Sequence, residues 1–221
     1  MTHVASEDSA EERARHWDQV WREREPTRVS WYQPRPGVSL RLIESAGLPA
    51  GARVLDVGGG ASTLVDRLLD LGYRPGVLDV SDGGLARGRA RLGSRAAQVE
   101  WFHADVTRWD PPHPWDLWHD RATLHFLTDE AERQAYRATL LRALRPGGYA
   151  VIAEFGPEGP TTCSGLPVRR WSAEDLEAFL GPELGIEERA AEEHVTPAGG
   201  LQQFLVTRLR RRSPEPAHAE A

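Results

Sequence analysis

The stretch Arg53-Val-Leu-Asp56-Val-Gly58-Gly-Gly60-Ala-Ser62-Thr63-Leu64 decides the fold. Its first five residues are a short apolar run of strand length, three glycines follow, and Leu64, Val65, Leu68 and Leu69 then recur at helical spacing up to Leu71. A strand that turns at once into a helix through glycines lets the backbone approach a ligand with no Cβ in the way. The free N–H groups at the helix start then aim at that ligand, so something negative or hydrogen-bond accepting belongs there. A tight turn that holds nothing is the competing reading of these glycines alone.

Outward from this unit the pattern recurs. Gly76-Val-Leu-Asp79-Val80 reads as a second strand followed by a helix over 84–92, and Val99 to His103 as a third strand followed by loop. Trp115 to His119 is a fourth, with a helix from about Asp129 to Leu144, and Tyr149 to Phe155 follows the turn Arg145-Pro-Gly-Gly148. Strands alternating with helices predict parallel pairing through right-handed crossovers. After Gly165 the pattern changes to a helix near 173–180 and two strand-like runs, 186–194 and 201–209, which can close the sheet as an antiparallel pair. Ahead of the first strand lie a helix over about 11–25, stopped by Pro26, and another over 38–46. The fold class predicted is α/β: a Rossmann-like, doubly wound, mostly parallel sheet with an antiparallel C-terminal pair and helices on both faces.

The expected organisation is a flexible tail over 1–10, one domain over 11–210 whose residues 11–50 form a helical lid, and a second loose tail over 211–221. With 221 residues, a net charge of -6 and all 27 basic residues arginine, the chain is an ordinary acidic globular protein. That balance argues against nucleic acid as a partner. No apolar run of about 18 residues and no basic, apolar leader is visible, so no membrane partner is expected. The single cysteine, Cys163, allows no intrachain disulfide and fits a reducing cytoplasm. It reads as an inert buried group more readily than as a reactive thiol. The histidines have no tight ligand spacing with acids, so no metal site is expected.

Asp79 ends the second strand 23 positions after Asp56, where a carboxylate can accept hydrogen bonds from both hydroxyls of an adenosine ribose. Asp105, just past the third strand, can meet an adenine amine while Val106 packs on its ring. Dinucleotide sites share this layout, but their fingerprint needs a third glycine where Thr63 stands.

Asp56 two residues before Gly58, taken with the Arg145-Pro-Gly-Gly148 turn, resembles the S-adenosylmethionine (SAM)-dependent methyltransferases of the Rossmann-like class over residues 50–156. The resemblance implies SAM as cofactor and gives cofactor roles to Gly58, Gly60, Asp79, Val80, Asp105 and Val106. Asp56 would organise the loop. Ser62 replaces a further glycine of many relatives and can cap the helix. Trp17, Trp21 and Trp31, in a segment similar to the aromatic N-terminal lid of thiopurine, thiol and halide methyltransferases, either face the sulfonium or only anchor the first helix.

Those enzymes also share an Asp-Arg pair at the end of the fourth strand, here Asp120-Arg121, with Ala122 where glycine often follows. His119 and Asp120 are candidates for a base or its orienter, against turn-forming or capping work. Arg121 can hold an anionic acceptor or form a structural bridge. His125 reads as a packing residue. The expected activity is methyl transfer by in-line displacement to a small soft nucleophile, a thiol or related group, with a small-molecule partner. A protein lysine methyltransferase and a non-catalytic SAM- or nucleotide-binding module are the alternatives, and the oligomeric state is left open.

Overall fold

The computed structural model describes residues 7–213. Five parallel strands form the centre: β1 (Arg53–Val57), β2 (Arg74–Asp79), β3 (Glu100–His103), β4 (Trp115–Arg121) and β5 (Leu144–Phe155). A small hairpin, β6 (Thr162–Cys163) and β7 (Leu166–Pro167), forms a separate sheet, and β8 (Leu184–Val195) and β9 (Leu201–Arg211) return antiparallel beside β5. The strand order β3-β2-β1-β4-β5-β9-β8 reverses direction between β1 and β4. A ligand crevice of an open α/β sheet opens at such a switch point, beyond the carboxyl ends of the strands.

Six helices cover the sheet: α1 (Glu7–Glu23), α2 (Gly37–Glu44), α3 (Leu64–Asp70), α4 (Asp82–Leu92), α5 (Glu130–Ala143) and α6 (Ala173–Leu180). Alternation along the strands sorts the core into two layers. Trp118 of β4 with Ala150 and Ile152 of β5 packs against Tyr136 and Leu140 of α5 and Leu176 of α6. Leu117 with Val151, Ala153 and Phe155 packs on the other face against Leu42 and Ile43 of α2 and Leu64 and Leu68 of α3. The doubly wound sheet read from the sequence is present, including its antiparallel pair.

Three boundaries differ. The expected N-terminal tail loses its residues 7–10 to α1, and β9 runs to Arg211, into the expected C-terminal tail; tail residues 1–6 and 214–221 lie outside the described ones. The 156–167 stretch between β5 and α6 contains the β6–β7 hairpin, whose turn uses left-handed Ser164 and Gly165. β5 begins at Leu144 because Leu144 already pairs with Trp115 of β4 and Tyr149 with Leu117, the Arg145-Pro-Gly-Gly148 turn between them being taken up as a register shift.

Candidate functional site

The glycine loop is shaped by crowding as well as by flexibility. Gly58 has φ +65°, and a Cβ there would overlap Oγ1 of Thr123. Gly60 has φ +40°, and a Cβ there would stand 3.0 Å from Oδ2 of Asp79 and 3.3 Å from the indole of Trp21. Gly84 and Gly88 of α4 let Trp21 and the backbone of Gly60 approach that helix closely. Oγ of Ser62 accepts from the Leu64 N–H at 3.1 Å, so the residue in place of a glycine helps to cap α3.

Above this loop lies an open cavity of about 790 Å³ that brings together Trp17, Trp21, Trp31, Gly58, Asp79, Val80, Asp105, Val106 and Arg121 from the sequence reading. Asp79 and Asp105, from the ends of β2 and β3, stand on one side. Arg121, Ala122 and Thr123, from the end of β4, stand on the other with Phe126, Leu127 and Cys163. A smaller adjoining cavity is lined by Asp56, Gly58, Ser62, His119 and Arg121, so Arg121 borders both.

Asp79 is buried, and Oδ1 accepts from the Ser81 N–H at 2.8 Å. Burial, reinforced by the nearby charge of Asp56, pushes its carboxyl up to about 7, although the Ser81 and Gly60 amides pull the other way. Asp105 goes in the opposite direction. Burial raises it, but hydrogen bonds from Thr107 and the Arg13 guanidinium outweigh that and hold it below the usual carboxylate range.

Arg13 bonds Asp105 at 2.7 Å and also Glu132, tying α1 to the rim of the crevice. Asp18, one turn on, accepts from Ser81 Oγ at 2.5 Å and the Gly83 N–H at 3.2 Å. Trp17 and Trp21 each meet Trp31 edge to face, with ring centroids 5.6 and 5.8 Å apart. The N-terminal segment therefore walls the cavity, with Trp21 buried.

The three residues at the end of β4 part company. Successive strand side chains point to opposite faces, so His119 and Arg121 share one face and Asp120 takes the other. Asp120 is fully buried and meets neither cavity, which corrects the expectation that it faces the acceptor. Its carboxyl accepts from Tyr136 Oη at 2.6 Å and the Thr123 N–H at 2.9 Å. Burial and the charge of Glu154 raise it well above the carboxylate range, and burial raises Glu154 to about 8. Glu154 accepts from the Leu124 and His125 N–H groups at 3.2 and 3.1 Å. The two acids therefore hold the turn 121–125 from beneath.

His119 is paired with Asp56 by the β1–β4 register. Its Nδ1 lies 2.7 Å from Asp56 Oδ1 and its Nε2 2.9 Å from Ser39 Oγ. With both nitrogens engaged and the ring buried, His119 braces the glycine loop from the smaller cavity and has no free nitrogen for a substrate proton. His125 is fully buried between Phe126 and Phe155, with ring centroids 4.4 and 4.6 Å away.

Arg121 lies 4.2 Å over the Phe204 ring and donates from Nη1 to the Trp31 carbonyl at 3.3 Å. Glu192 of β8 stands 3.7 Å from Nε, and Gln33 holds Glu192 in turn. Nη2 is buried with no protein partner. Ala122 beside it has φ +67°, which explains why a glycine suits this position.

Arg13, Asp18, Ser39 and Glu192 are absent from the sequence reading. Only Arg13 leaves a local signal, sitting one helical turn before Trp17 on the face that Trp21 continues. Among the described residues no group of three acids, histidines or cysteines is placed to hold a metal, and no helix is long and apolar enough to cross a membrane.

Residues 54–148 match a family model described as a methyltransferase domain. A demethylmenaquinone methyltransferase of Clavibacter sepedonicus is 39% identical over 107 residues, 48% of this chain and 42% of that protein. The chain thus spans less than half the length of such curated relatives. A structure described by the conversion of a disulfide bond into a thioacetal group during echinomycin biosynthesis superposes with a TM-score of 0.71 at 25% identity, covering 90% of this chain and 93% of the other. The 1,6-didemethyltoxoflavin-N1-methyltransferase of Burkholderia thailandensis, solved with its substrate and S-adenosylhomocysteine (SAH), superposes at 0.67 with 21% identity, covering 93% and 87%.

Proposed function

We propose that this chain, whose residues 54–148 match a methyltransferase domain, is a class I SAM-dependent enzyme that methylates a small-molecule soft nucleophile, a thiol or a related group. The observation that carries this is the two-sided cavity. Nucleoside-binding groups stand at the ends of β2 and β3, and an apolar, aromatic chamber with one cation, Arg121, stands across β1 at the end of β4.

In this reading Asp79 takes the ribose hydroxyls, Asp105 and Val106 the adenine, and Gly58 and Gly60 the amino-acid end of the cofactor. The crowding at both glycines and the cradle around Asp79 fit such a group. Asp56 and Ser62 support the loop from behind, and Trp17, Trp21 and Trp31 wall the sulfonium. When bound, SAM supplies an electrophilic methyl on a cationic sulfur. The protein's own work is to hold the acceptor in line with that methyl and to exclude water. Asp120, Glu154 and His119 act by positioning the turn and loop on either side.

The chamber is enclosed by α1 and the β6–β7 hairpin, which suits a small acceptor better than a protein surface. The thioacetal chemistry of one structural neighbour supports sulfur, and the quinone-type substrate named for the Clavibacter relative supports a ring carbon as the second reading. A screen with methyl-labelled SAM, run on metabolite pools and on proteome extracts in parallel, tests it. Label is expected in small, apolar thiols or related acceptors; label confined to protein would favour the lysine alternative.

A further inference from the structure

Among the described residues Arg121 is the one cation on the acceptor side of the cavity, and it is an unusual one. Its side chain is 9% exposed, its guanidinium lies 4.2 Å over the Phe204 ring, and two of its nitrogens, Nε and Nη2, are buried without a hydrogen-bond partner. The charged groups facing it are Glu192 and His194 from β8, Glu154 from β5 and the Cys163 thiol from the hairpin. Glu192 offsets part of the charge across 3.7 Å, and Gln33 holds Glu192 in place. The Nη2 edge stays unmatched. Buried donors in native proteins find partners, so an edge left free beside a cavity is a place for a ligand atom.

The second observation is what this chamber lacks. Around Ala122, Phe126, Leu127 and Cys163 the described lining residues include no carboxylate and no histidine. Asp79 and Asp105 stand across β1 on the nucleoside side, the latter tied to Arg13. Asp120 is behind the sheet surface and His119 has both nitrogens engaged. Of the groups facing Arg121, Glu192 is held by Gln33, His194 by the Ser30 carbonyl and Glu154 by the Leu124 and His125 amides, so among the described residues a nucleophile that must lose a proton before attack finds no unengaged group there to take it.

We infer that the acceptor enters as an anion, a thiolate, phenolate or enolate on a flat apolar body, with the Nη2 edge of Arg121 holding the charged atom or its conjugated oxygen. This deepens the methyltransferase reading and rests on it. In the step itself the acceptor's lone pair forms the new bond to the methyl carbon, and the methyl–sulfur bond breaks with its electron pair passing to sulfur. An anion and a sulfonium become two neutral products. No proton moves, so no base is required, and the methylated product loses its hold on Arg121 and can leave. The walls complete the match: Trp17 and Phe126, which meet edge to face with ring centroids 4.9 Å apart, line the same cavity as the guanidinium and offer an aromatic wall for a planar body.

The test measures binding on the whole protein saturated with SAH, so that no turnover intervenes. The probes are 4-nitrothiophenol, 4-nitrophenol and, as the neutral match in shape, nitrobenzene, titrated calorimetrically from about pH 5 to 9. The anionic forms are expected to bind about ten-fold or more tighter than nitrobenzene, with affinity rising as each probe ionises. Arg121→Met should remove that preference, and Arg121→Lys, which keeps the charge but not the planar fork, should keep part of it. Should Arg121→Met fold poorly because Glu192 loses its partner, Arg121→Met with Glu192→Gln carries the same comparison. A wild type that binds nitrobenzene as tightly as the anions, or a folded Met variant that keeps the preference, overturns the inference. Failure of SAH to bind at all would instead overturn the methyltransferase reading. Label transfer from SAM to one probe and not the other separates the thiolate from the phenolate source.

Discussion

Asp79→Asn is expected to weaken SAM binding by about ten- to a hundred-fold at pH 8, while making the unliganded protein more stable at that pH. The first effect follows from losing charge-assisted hydrogen bonds to the ribose hydroxyls, each about 1.5–3 kcal/mol. The second follows from linkage. Burial pushes the Asp79 carboxyl from its ordinary value of 3.8 up to about 7 in the fold. The native state therefore holds a proton that the unfolded chain has released. Its stabilising share is complete below about pH 4 and is lost as pH rises through 7, at a cost of up to about 4 kcal/mol. Thermal melts of wild type and variant should converge near pH 4 and separate toward pH 8, with the variant higher. Glu154, raised to about 8, adds a decline of the same sign in both proteins and so cancels from the comparison. Because SAM engages the charged carboxylate, its binding should release protons near pH 6 to 7, read by calorimetry in two buffers of different ionisation heat. Unchanged affinity in Asp79→Ala would remove this residue from the site.

Gly58→Ala is the second large effect. The left-handed backbone at Gly58 costs a residue with a Cβ about 1–2 kcal/mol, and the added carbon would also collide with Thr123 Oγ1. Thr123 is fixed by the Asp120 carboxyl and donates to the Val57 carbonyl at 3.2 Å, so neither partner can yield freely. We expect a loss of roughly 2–4 kcal/mol in stability by denaturant titration and no detectable SAM binding. Adding Thr123→Ala removes the colliding oxygen and should return part of the stability, leaving the backbone strain. If Gly58→Ala alone binds SAM normally, the loop does not approach the cofactor.

Much of the fold was legible because it is written locally. The run at 53–57, the glycines after it and the helix-period leucines lie within about twenty residues, and the same grammar repeats at Asp79 and Asp105. What could not be read was written across long separations. Arg13 reaches Glu132 and Asp105, and Glu192 reaches Arg121 and Gln33, pairs that only the folded sheet brings together. The misplacement of Asp120 has a different cause. The period of two along a strand already separates it from His119 and Arg121, and the Trp118–Tyr136 side that receives it is visible once the α5 face is known. His119 looked free because its partner Asp56 lies on another strand, brought alongside by the β1–β4 register.

In the proposed reading the cavity at the ends of β1, β2 and β4 is a SAM site. Isothermal titration of the purified chain with SAM, SAH and NADH tests it most directly. Saturable, one-to-one binding of SAM and SAH, with NADH at least about ten-fold weaker, is the result predicted from Asp79 and from Thr63 in place of the dinucleotide glycine. NADH binding more tightly than SAM, or no heat of binding with SAM or SAH under conditions where the protein is folded, would contradict it.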